Sequence, residues 1–154
     1  MAPVPATGAR SAITTLALVK KWLPLLIDVV LVIVFCAIGR RSHDEAVAAG
    51  LLRTVWPFAV GLLIGWVIAP AVAGRGRWAT AVARFDGSAL WPTGPIVWLS
   101  TLIGGMLLRV VSGQGTAGSF VIVAATVLAV FLLGWRAVWM LIGRRIQVSD
   151  VSAN

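Results

Sequence analysis

The chain has 154 residues, of which 60% are hydrophobic and 12% are charged. Its mean hydropathy of +0.99 excludes a soluble globular domain and predicts an integral membrane protein. The formal net charge is +8, but the basic residues stand at the ends of apolar runs. There they would meet anionic lipid headgroups, so nucleic acid is not an expected partner. The excess of Arg over Lys is typical of GC-rich genomes and indicates a bacterial source.

The N-terminal region resembles a secretory signal, because Lys20 and Lys21 precede an apolar core. That core continues to Gly39 without a small-residue cleavage site, so we expect it to be retained as a helix. Cys36 is the only cysteine, which excludes an internal disulfide. The bulky residues before Cys36 argue against a lipid-attachment motif.

Four apolar runs are long enough to cross a bilayer, because about 20 helical residues span a hydrocarbon layer of about 30 Å. The predicted fold is therefore all-α, a polytopic transmembrane four-helix bundle. Its membrane domain covers residues 21–145, with cytoplasmic tails at 1–20 and 146–154 and spans at about 22–39, 51–73, 95–111 and 119–143. Residues 1–12 and 149–154 are small and polar enough to be disordered.

The third span has the weakest signal. Two prolines and a glycine at 92–95 interrupt a helix at its start, and Arg109 must extend toward the headgroups at its end. A re-entrant or tilted segment is the alternative to a full crossing. The connection before it, 74–93, predicts either a short interfacial helix over 78–85 or a solvated loop, ahead of a turn at 86–87.

The basic residues predict the orientation, because cytoplasmic loops of membrane proteins carry an excess of Lys and Arg. With four crossings, eight basic residues fall on one side and four on the other. The eight are Arg10, Lys20, Lys21, Arg75, Arg77, Arg84, Arg144 and Arg145, and the four are Arg40, Arg41, Arg53 and Arg109. Both termini are therefore predicted to face the cytoplasm, in the plasma membrane. An aromatic belt would then contain Trp22, Trp78, Trp91 and Trp139 on the inner side and Trp56 on the outer side.

Small residues predict how the helices associate, since close backbone approach drives packing between helices in lipid. Gly61 and Gly65 form a GxxxG motif in the second span, and Gly104 and Gly105 indicate a second close approach in the third. The GxxxG motif favours either a packing face inside the bundle or, less strongly, a homodimer.

Asp28 and Arg136 lie inside apolar runs, where an ion costs several kcal/mol, roughly 2.5 to 3.5 on insertion scales, unless it is paired or hydrated. Asp28 lies seven residues after Lys21 and Arg136 eight before Arg144, so both lie roughly 10 to 12 Å inside the cytoplasmic boundary. We predict a salt bridge between the first and fourth helices, which exchanging the two residues would preserve. The alternative has Arg136 snorkelling while Asp28 is protonated or hydrated.

A second polar group is predicted at the outer end of the bundle. Its members are Arg40, Arg41, His43, Asp44, Glu45, Arg53 and Arg109, beside the polar third loop. Converging guanidinium groups would bind a phosphate, a lipid headgroup or another anion. The alternative is an ordinary solvated cluster at helix ends. Three successive loop residues at 43–45 rarely share a metal ion, so no metal, cofactor or catalytic site is predicted, and the chain is not expected to be an enzyme.

Several ordered motifs carry a family likeness. They are Asp28-Val29-Val30 leading to Phe35, Gly39 to His43, Pro57-Phe58, Gly61, Gly65-Trp66, Trp98, Thr101, Gly105-Met106, Leu108-Arg109, Ser119-Phe120 and Gly134-Trp135-Arg136. Together they resemble the family catalogued as domain of unknown function 3054, over most of the chain. The resemblance implies a four-helix membrane domain and no particular activity.

The sequence favours a small accessory or scaffolding subunit that associates through its glycine faces with itself or with a larger membrane assembly. The rival interpretation is an oligomeric transporter or channel in which Asp28, Arg109 and Arg136 line a route for an anion or a proton. A lipid-headgroup enzyme that uses His43 as a base is a third and weaker interpretation.

Overall fold

The computed structural model describes residues 7–39, 47–74 and 85–152, with side chains described over 21–39, 50–74 and 85–144. Its helices are α1 (Thr7–Gly39), α2 (Val47–Ala73), α3 (Thr93–Val111) and α4 (Gly118–Ser152). Within these ranges there is no strand. The predicted all-α, four-helix architecture is confirmed.

Each helix contains a segment that is long and apolar enough to cross a bilayer. These segments are Lys21–Gly39, Gly50–Ala73, Thr93–Val111 and Gly118–Arg144. The third has 19 residues, and at about 1.5 Å per residue it is nearly as long as the hydrocarbon layer is thick. Pro92 precedes this helix and Pro95 lies in its first turn, where a proline removes no helical hydrogen bond.

Two of the helices extend beyond the predicted spans. α1 begins at Thr7 and α4 ends at Ser152, so the expectation of disorder is wrong for residues 7–12 and 149–152. Once a helix is nucleated in the membrane, each further residue adds a hydrogen bond without a new nucleation cost. The extension of α1 contains several Ala and Leu residues and that of α4 begins with Arg144 and Arg145, all of which are good helix formers.

The four helices form a ring in which each packs against its neighbours in the chain and α1 closes against α4. The contact between α2 and α3 is the most extensive of these, and the one between α1 and α4 is the smallest. At the α1–α2 contact, the rings of Phe35 and Phe58 meet edge to face, with centroids 5.2 Å apart. The core consists of Val32, Phe35, Cys36, Phe58, Leu62, Ala69, Val97, Ala124, Leu128 and Leu132.

Glycines bring α2 and α3 together. A Cβ atom on Gly61 would lie 2.8 Å from the carbonyl oxygen of Ser100, and one on Gly104 would lie 2.9 Å from the Gly61 Cα. A Cβ on Gly65 would lie 3.0 Å from the Val97 Cα. The two backbones are therefore nearly in contact, and the structure places the GxxxG motif inside the bundle, against α3.

A glycine-dependent turn joins α3 to α4. Gly113 has φ of 69°, a left-handed conformation that favours glycine. Its N–H donates to the Val110 carbonyl at 3.1 Å, and the Gln114 N–H donates to the Arg109 carbonyl at 2.9 Å. These two bonds form a Schellman motif, which satisfies the last carbonyls of α3 and sends the chain back toward α4.

The segment before α3 contains the turn predicted at 86–87. The Asp86 carboxylate accepts hydrogen bonds from the backbone N–H and the hydroxyl of Ser88 at 2.9 and 2.6 Å. The Asp86 carbonyl accepts from the Thr93 hydroxyl at 3.1 Å, which ties the turn to the start of α3. Residues 75–84 lie outside the described ranges, so the choice between an interfacial helix over 78–85 and a solvated loop stays open.

Candidate functional site

Asp28 of α1 and Arg136 of α4 are in direct contact. Arg136 Nη1 donates to Asp28 Oδ1 at 2.8 Å, and Nη2 donates to Oδ2 at 2.7 Å. Both side chains are fully buried, with 0% exposure. The two parallel bonds are the bidentate geometry in which a guanidinium binds a carboxylate most strongly. The structure thus brings together the two residues for which the sequence predicted a salt bridge.

Two tryptophans complete the coordination of the carboxylate. Trp66 Nε1 of α2 donates to Asp28 Oδ2 at 2.9 Å, and Trp135 Nε1 of α4 donates to Oδ1 at 2.9 Å. Each carboxylate oxygen therefore accepts one indole and one guanidinium hydrogen bond. We call Asp28, Trp66, Trp135 and Arg136 the buried cluster. It joins three of the four helices through one carboxylate.

Two further Arg136 donors are directed at backbone carbonyls. Nε donates to the Gly87 carbonyl at 3.1 Å, and Nη1 donates to the Leu132 carbonyl, one turn back along α4, at 2.7 Å. The guanidinium carbon also lies 4.6 Å from the centroid of the Trp135 ring, a cation–π contact. Arg136 therefore fixes the loop before α3 as well as α1.

The cluster is electrically neutral and nearly saturated with hydrogen bonds. Pairing removes most of the cost of placing either ion in hydrocarbon, and the additional donors satisfy the lone pairs that would otherwise be left unmatched. A carboxylate has about four lone-pair sites, and all four are occupied here. A further ligand could bind the Asp28 carboxylate only by displacing one of these partners.

Small residues make room for the cluster. A Cβ atom on Gly87 would collide with the Trp66 ring and would lie 3.2 Å from the Pro24 Cβ. A Cβ on Gly94 would lie 3.4 Å from the Arg136 Cδ. Because Gly87 has no side chain, the loop before α3 can approach Trp66 and offer its carbonyl to Arg136. Because Gly94 has none, the first turn of α3 can lie close to the Arg136 side chain.

Sequence reasoning missed the role of the two tryptophans, although both stand in motifs of the family likeness. One signal was available. Trp66 lies eight residues before Gly74, so it is roughly 12 Å inside the membrane, at the predicted depth of Asp28. An indole N–H at that depth needs an acceptor, and a carboxylate was the available one.

The predicted outer group is only partly described. Arg40, Arg41, His43, Asp44 and Glu45 lie outside the described residues, and so does Trp78. Arg53 is exposed on α2. Convergence of these residues with Arg109 therefore stays a prediction.

Arg109 itself contacts the turn between α3 and α4. Its Nη1 donates to Gln114 Oε1 at 3.2 Å, and Nη2 donates to the Gly115 carbonyl at 3.3 Å. The guanidinium carbon lies 4.7 Å from the centroid of the Phe120 ring. Its Nε is buried and has no acceptor in the part of the chain that the structure describes.

A groove opens beside the buried cluster, at the end of the bundle where the span of α1 begins. We call it the seam groove, because it lies where α1 and α4 face each other across the loop before α3. Its volume is about 470 Å³, and Trp135 forms part of its wall. Its other principal lining residues are Lys21, Pro24, Ile27, Asp86, Ser88 and Trp139.

Four apolar helices in a ring, with Asp28 and Arg136 paired in the interior, define a multi-pass integral membrane protein. Residues 25–139 match the family model described as "Protein of unknown function (DUF3054)". The match covers more than half of the chain, so the chain belongs to this family, as its motifs indicated. The matched region contains all four residues of the buried cluster. No curated protein and no solved structure matches the chain.

Proposed function

We propose that this protein is a small accessory or scaffolding subunit of a membrane assembly, located in the plasma membrane with both termini in the cytoplasm. The observation that carries the proposal is the saturated Asp28 carboxylate. A route for ions or protons needs ionisable groups that exchange partners with water or solute. Asp28 instead has every acceptor site occupied by protein donors, as expected of a residue that holds helices together.

The lipid-facing surface supports association with other helices. Large apolar side chains are exposed on all four helices, among them Leu26, Leu63, Leu107 and Val130. Such surfaces contact either acyl chains or the helices of another membrane protein. Most of the described chain lies within the spans, so the surfaces available to a partner lie mainly in the membrane.

The distribution of basic residues supports the orientation. Arg144 lies at the end of the fourth span and is exposed, as is Lys21 at the start of the first. Both would contact the anionic headgroups of the cytoplasmic leaflet. Trp22, Trp91 and Trp139 are more than half exposed, which suits residues of an aromatic belt at that interface.

Cysteine labelling tests the orientation. In a Cys36→Ala background, Gln114→Cys would place a thiol in the turn between α3 and α4, and Ser152→Cys would place one at the end of α4. A membrane-impermeant maleimide should label the first in intact cells and the second only after permeabilisation. The reverse pattern would contradict the orientation.

Native mass spectrometry tests the accessory role. The protein, extracted from its native membranes directly into lipid nanodiscs, should appear in a discrete complex with itself or with a second membrane protein. A purely monomeric population would contradict the proposal.

The rival function, an oligomeric transporter or channel for an anion, a proton or another small solute, is favoured by one observation. The seam groove reaches Trp135, which is bonded directly to Asp28, so a single side chain separates the groove from the buried pair. Liposome flux distinguishes the two functions. The accessory role predicts that proton and chloride flux into vesicles containing the purified protein equals that of protein-free vesicles. Flux that disappears in Asp28→Asn would establish the rival.

A further inference from the structure

The seam groove has the form of a binding site at the membrane surface. It lies beside the contact between α1 and α4, which is the smallest of the four helix contacts. Its volume of about 470 Å³ lies within the range of small-ligand sites, roughly 300 to 1,000 Å³. The groove therefore has room for a lipid headgroup and the first part of its acyl chains.

The two charged residues of the groove have opposite signs. Lys21 lies on α1 and Asp86 on the loop before α3, and both are exposed. The Asp86 carboxylate is held in place, because the backbone N–H and hydroxyl of Ser88 both donate to its Oδ1. The groove thus presents an exposed cation on α1 and an anion held by hydrogen bonds on the loop before α3.

The rest of the groove is largely apolar. Pro24 and Ile27 continue inward from Lys21 along α1, and Trp139 forms part of the α4 side. Tryptophan favours the level of the headgroups, where its ring is partly in lipid and partly in water. A ligand that fits must therefore combine an apolar body with a headgroup that carries both charges.

We propose that the seam groove binds one phosphatidylethanolamine molecule. Lys21 binds its phosphate, Asp86 accepts hydrogen bonds from its primary ammonium, and its glycerol and upper acyl chain lie against Pro24, Ile27 and Trp139. Phosphatidylcholine has the same charges, but its quaternary ammonium has no N–H to donate. Phosphatidylglycerol has no ammonium group to balance its phosphate. Its net negative charge would therefore be repelled by Asp86.

Native mass spectrometry of the full chain in detergent, with equal amounts of dioleoyl phosphatidylethanolamine, phosphatidylcholine and phosphatidylglycerol, tests the proposal. The wild-type protein should retain one phosphatidylethanolamine per chain in preference to the other two. Lys21→Ala and Asp86→Asn should each lower that retention by about tenfold, as expected for the loss of one charge-assisted hydrogen bond. Asp86→Lys should shift the preference to phosphatidylglycerol.

Arg144→Ala is the matched control. It removes one positive charge at the same end of the bundle, from an exposed residue that is not among those lining the groove, and it should leave lipid retention unchanged. Equal retention of the three lipids by the wild type would overturn the proposal. So would an unchanged preference in Lys21→Ala, or an equal loss in Arg144→Ala. Because Lys21 is exposed, its variant remains informative even if a change at Asp86 disturbs the turn.

Discussion

Asp28 and Arg136 lie 108 positions apart in the chain and meet through two parallel hydrogen bonds of 2.8 and 2.7 Å. Their contact joins α1 to α4, the pair of helices with the smallest packing interface in the ring. The ion pair therefore holds α1 against α4, where the packing contact is small, whereas close packing at glycines holds α2 against α3. This relationship leads to the first two predictions.

Removing one member of the pair should destabilise the bundle strongly. Asp28→Ala and Arg136→Ala should each lower the free energy of unfolding by about 3 to 5 kcal/mol, because each leaves a buried charge without its partner. The double variant Asp28→Leu with Arg136→Met removes both charges and should be more stable than either single variant. Thermal unfolding in detergent, followed by circular dichroism, measures this order. A double variant as unstable as the singles would contradict it.

Exchanging the two charges should not restore stability, contrary to the expectation from the sequence. An arginine at position 28 would face the indole N–H groups of Trp66 and Trp135, which are donors and cannot bond to another donor. A carboxylate at position 136 would face the carbonyls of Gly87 and Leu132. The double exchange should unfold at a temperature no higher than either single exchange. Recovery to the wild-type temperature would show that the indole and carbonyl contacts contribute little.

The indole hydrogen bonds can be tested separately from the ion pair. Trp66→Phe and Trp135→Phe each retain an aromatic ring but remove one donor to Asp28. Each should cost about 1.5 to 3 kcal/mol, the usual contribution of a hydrogen bond to a charged group. Trp91→Phe is the control, since Trp91 is 79% exposed, and it should change stability little. Chemical denaturation of the three variants side by side would reveal the difference, and equal stabilities would contradict the role of the indoles.

Gly→Ala substitutions should lower the free energy of unfolding where the backbone is closely packed and raise it where there is open space. Gly61→Ala and Gly105→Ala place a methyl group against α3 backbone and the Phe58 ring respectively. Each should lower the free energy of unfolding by about 1 to 3 kcal/mol, because the added methyl group overpacks the contact. A Cβ on Gly134 would have open space around it, with no neighbouring atom within 4 Å, so Gly134→Ala should stabilise α4 by up to about 1 kcal/mol. Thermal unfolding of the three variants tests this difference. A shift of all three unfolding temperatures in the same direction would contradict the prediction.

The turn after α3 offers a local test of backbone conformation. Gly113→Ala places a side chain on a residue with φ of 69°, and it should cost about 1 kcal/mol because that conformation is strained for alanine. Gly118→Ala, at the start of α4 and with open space around it, should be neutral or slightly stabilising. Hydrogen exchange at the end of α3 should increase only in the first variant. Equal exchange in both would show that the turn tolerates a side chain.

The predictions that depended on hydropathy and composition, namely four apolar helices and no strand, agree with the structure over the described residues. The turn predicted at 86–87 is present, whereas the predictions for 40–45 and 78–85 lie mostly on residues outside the described ranges. Hydropathy located four helices to within a few residues in the membrane, because the thickness of the hydrocarbon layer sets their length. It failed at the ends, where α1 and α4 continue beyond the apolar spans. Hydropathy reports burial in lipid, and a helix in water needs only its own hydrogen bonds and favourable residues.

The sequence by itself determined the membrane class, the number of helices and the presence of Asp28 and Arg136 inside two of the apolar spans, because each follows from the cost of placing a polar group in hydrocarbon. It did not determine the other hydrogen-bond partners of this ion pair. Trp66, which donates to Asp28, comes from a third helix, and the Gly87 carbonyl, which accepts from Arg136, comes from a loop. Spacing along the chain placed Trp66 near the level of Asp28, but it did not show that the two side chains meet. Only the packing of the helices decided which donors met which acceptors, because hydrogen bonds depend on distances of a few tenths of an ångström that the order of residues does not specify.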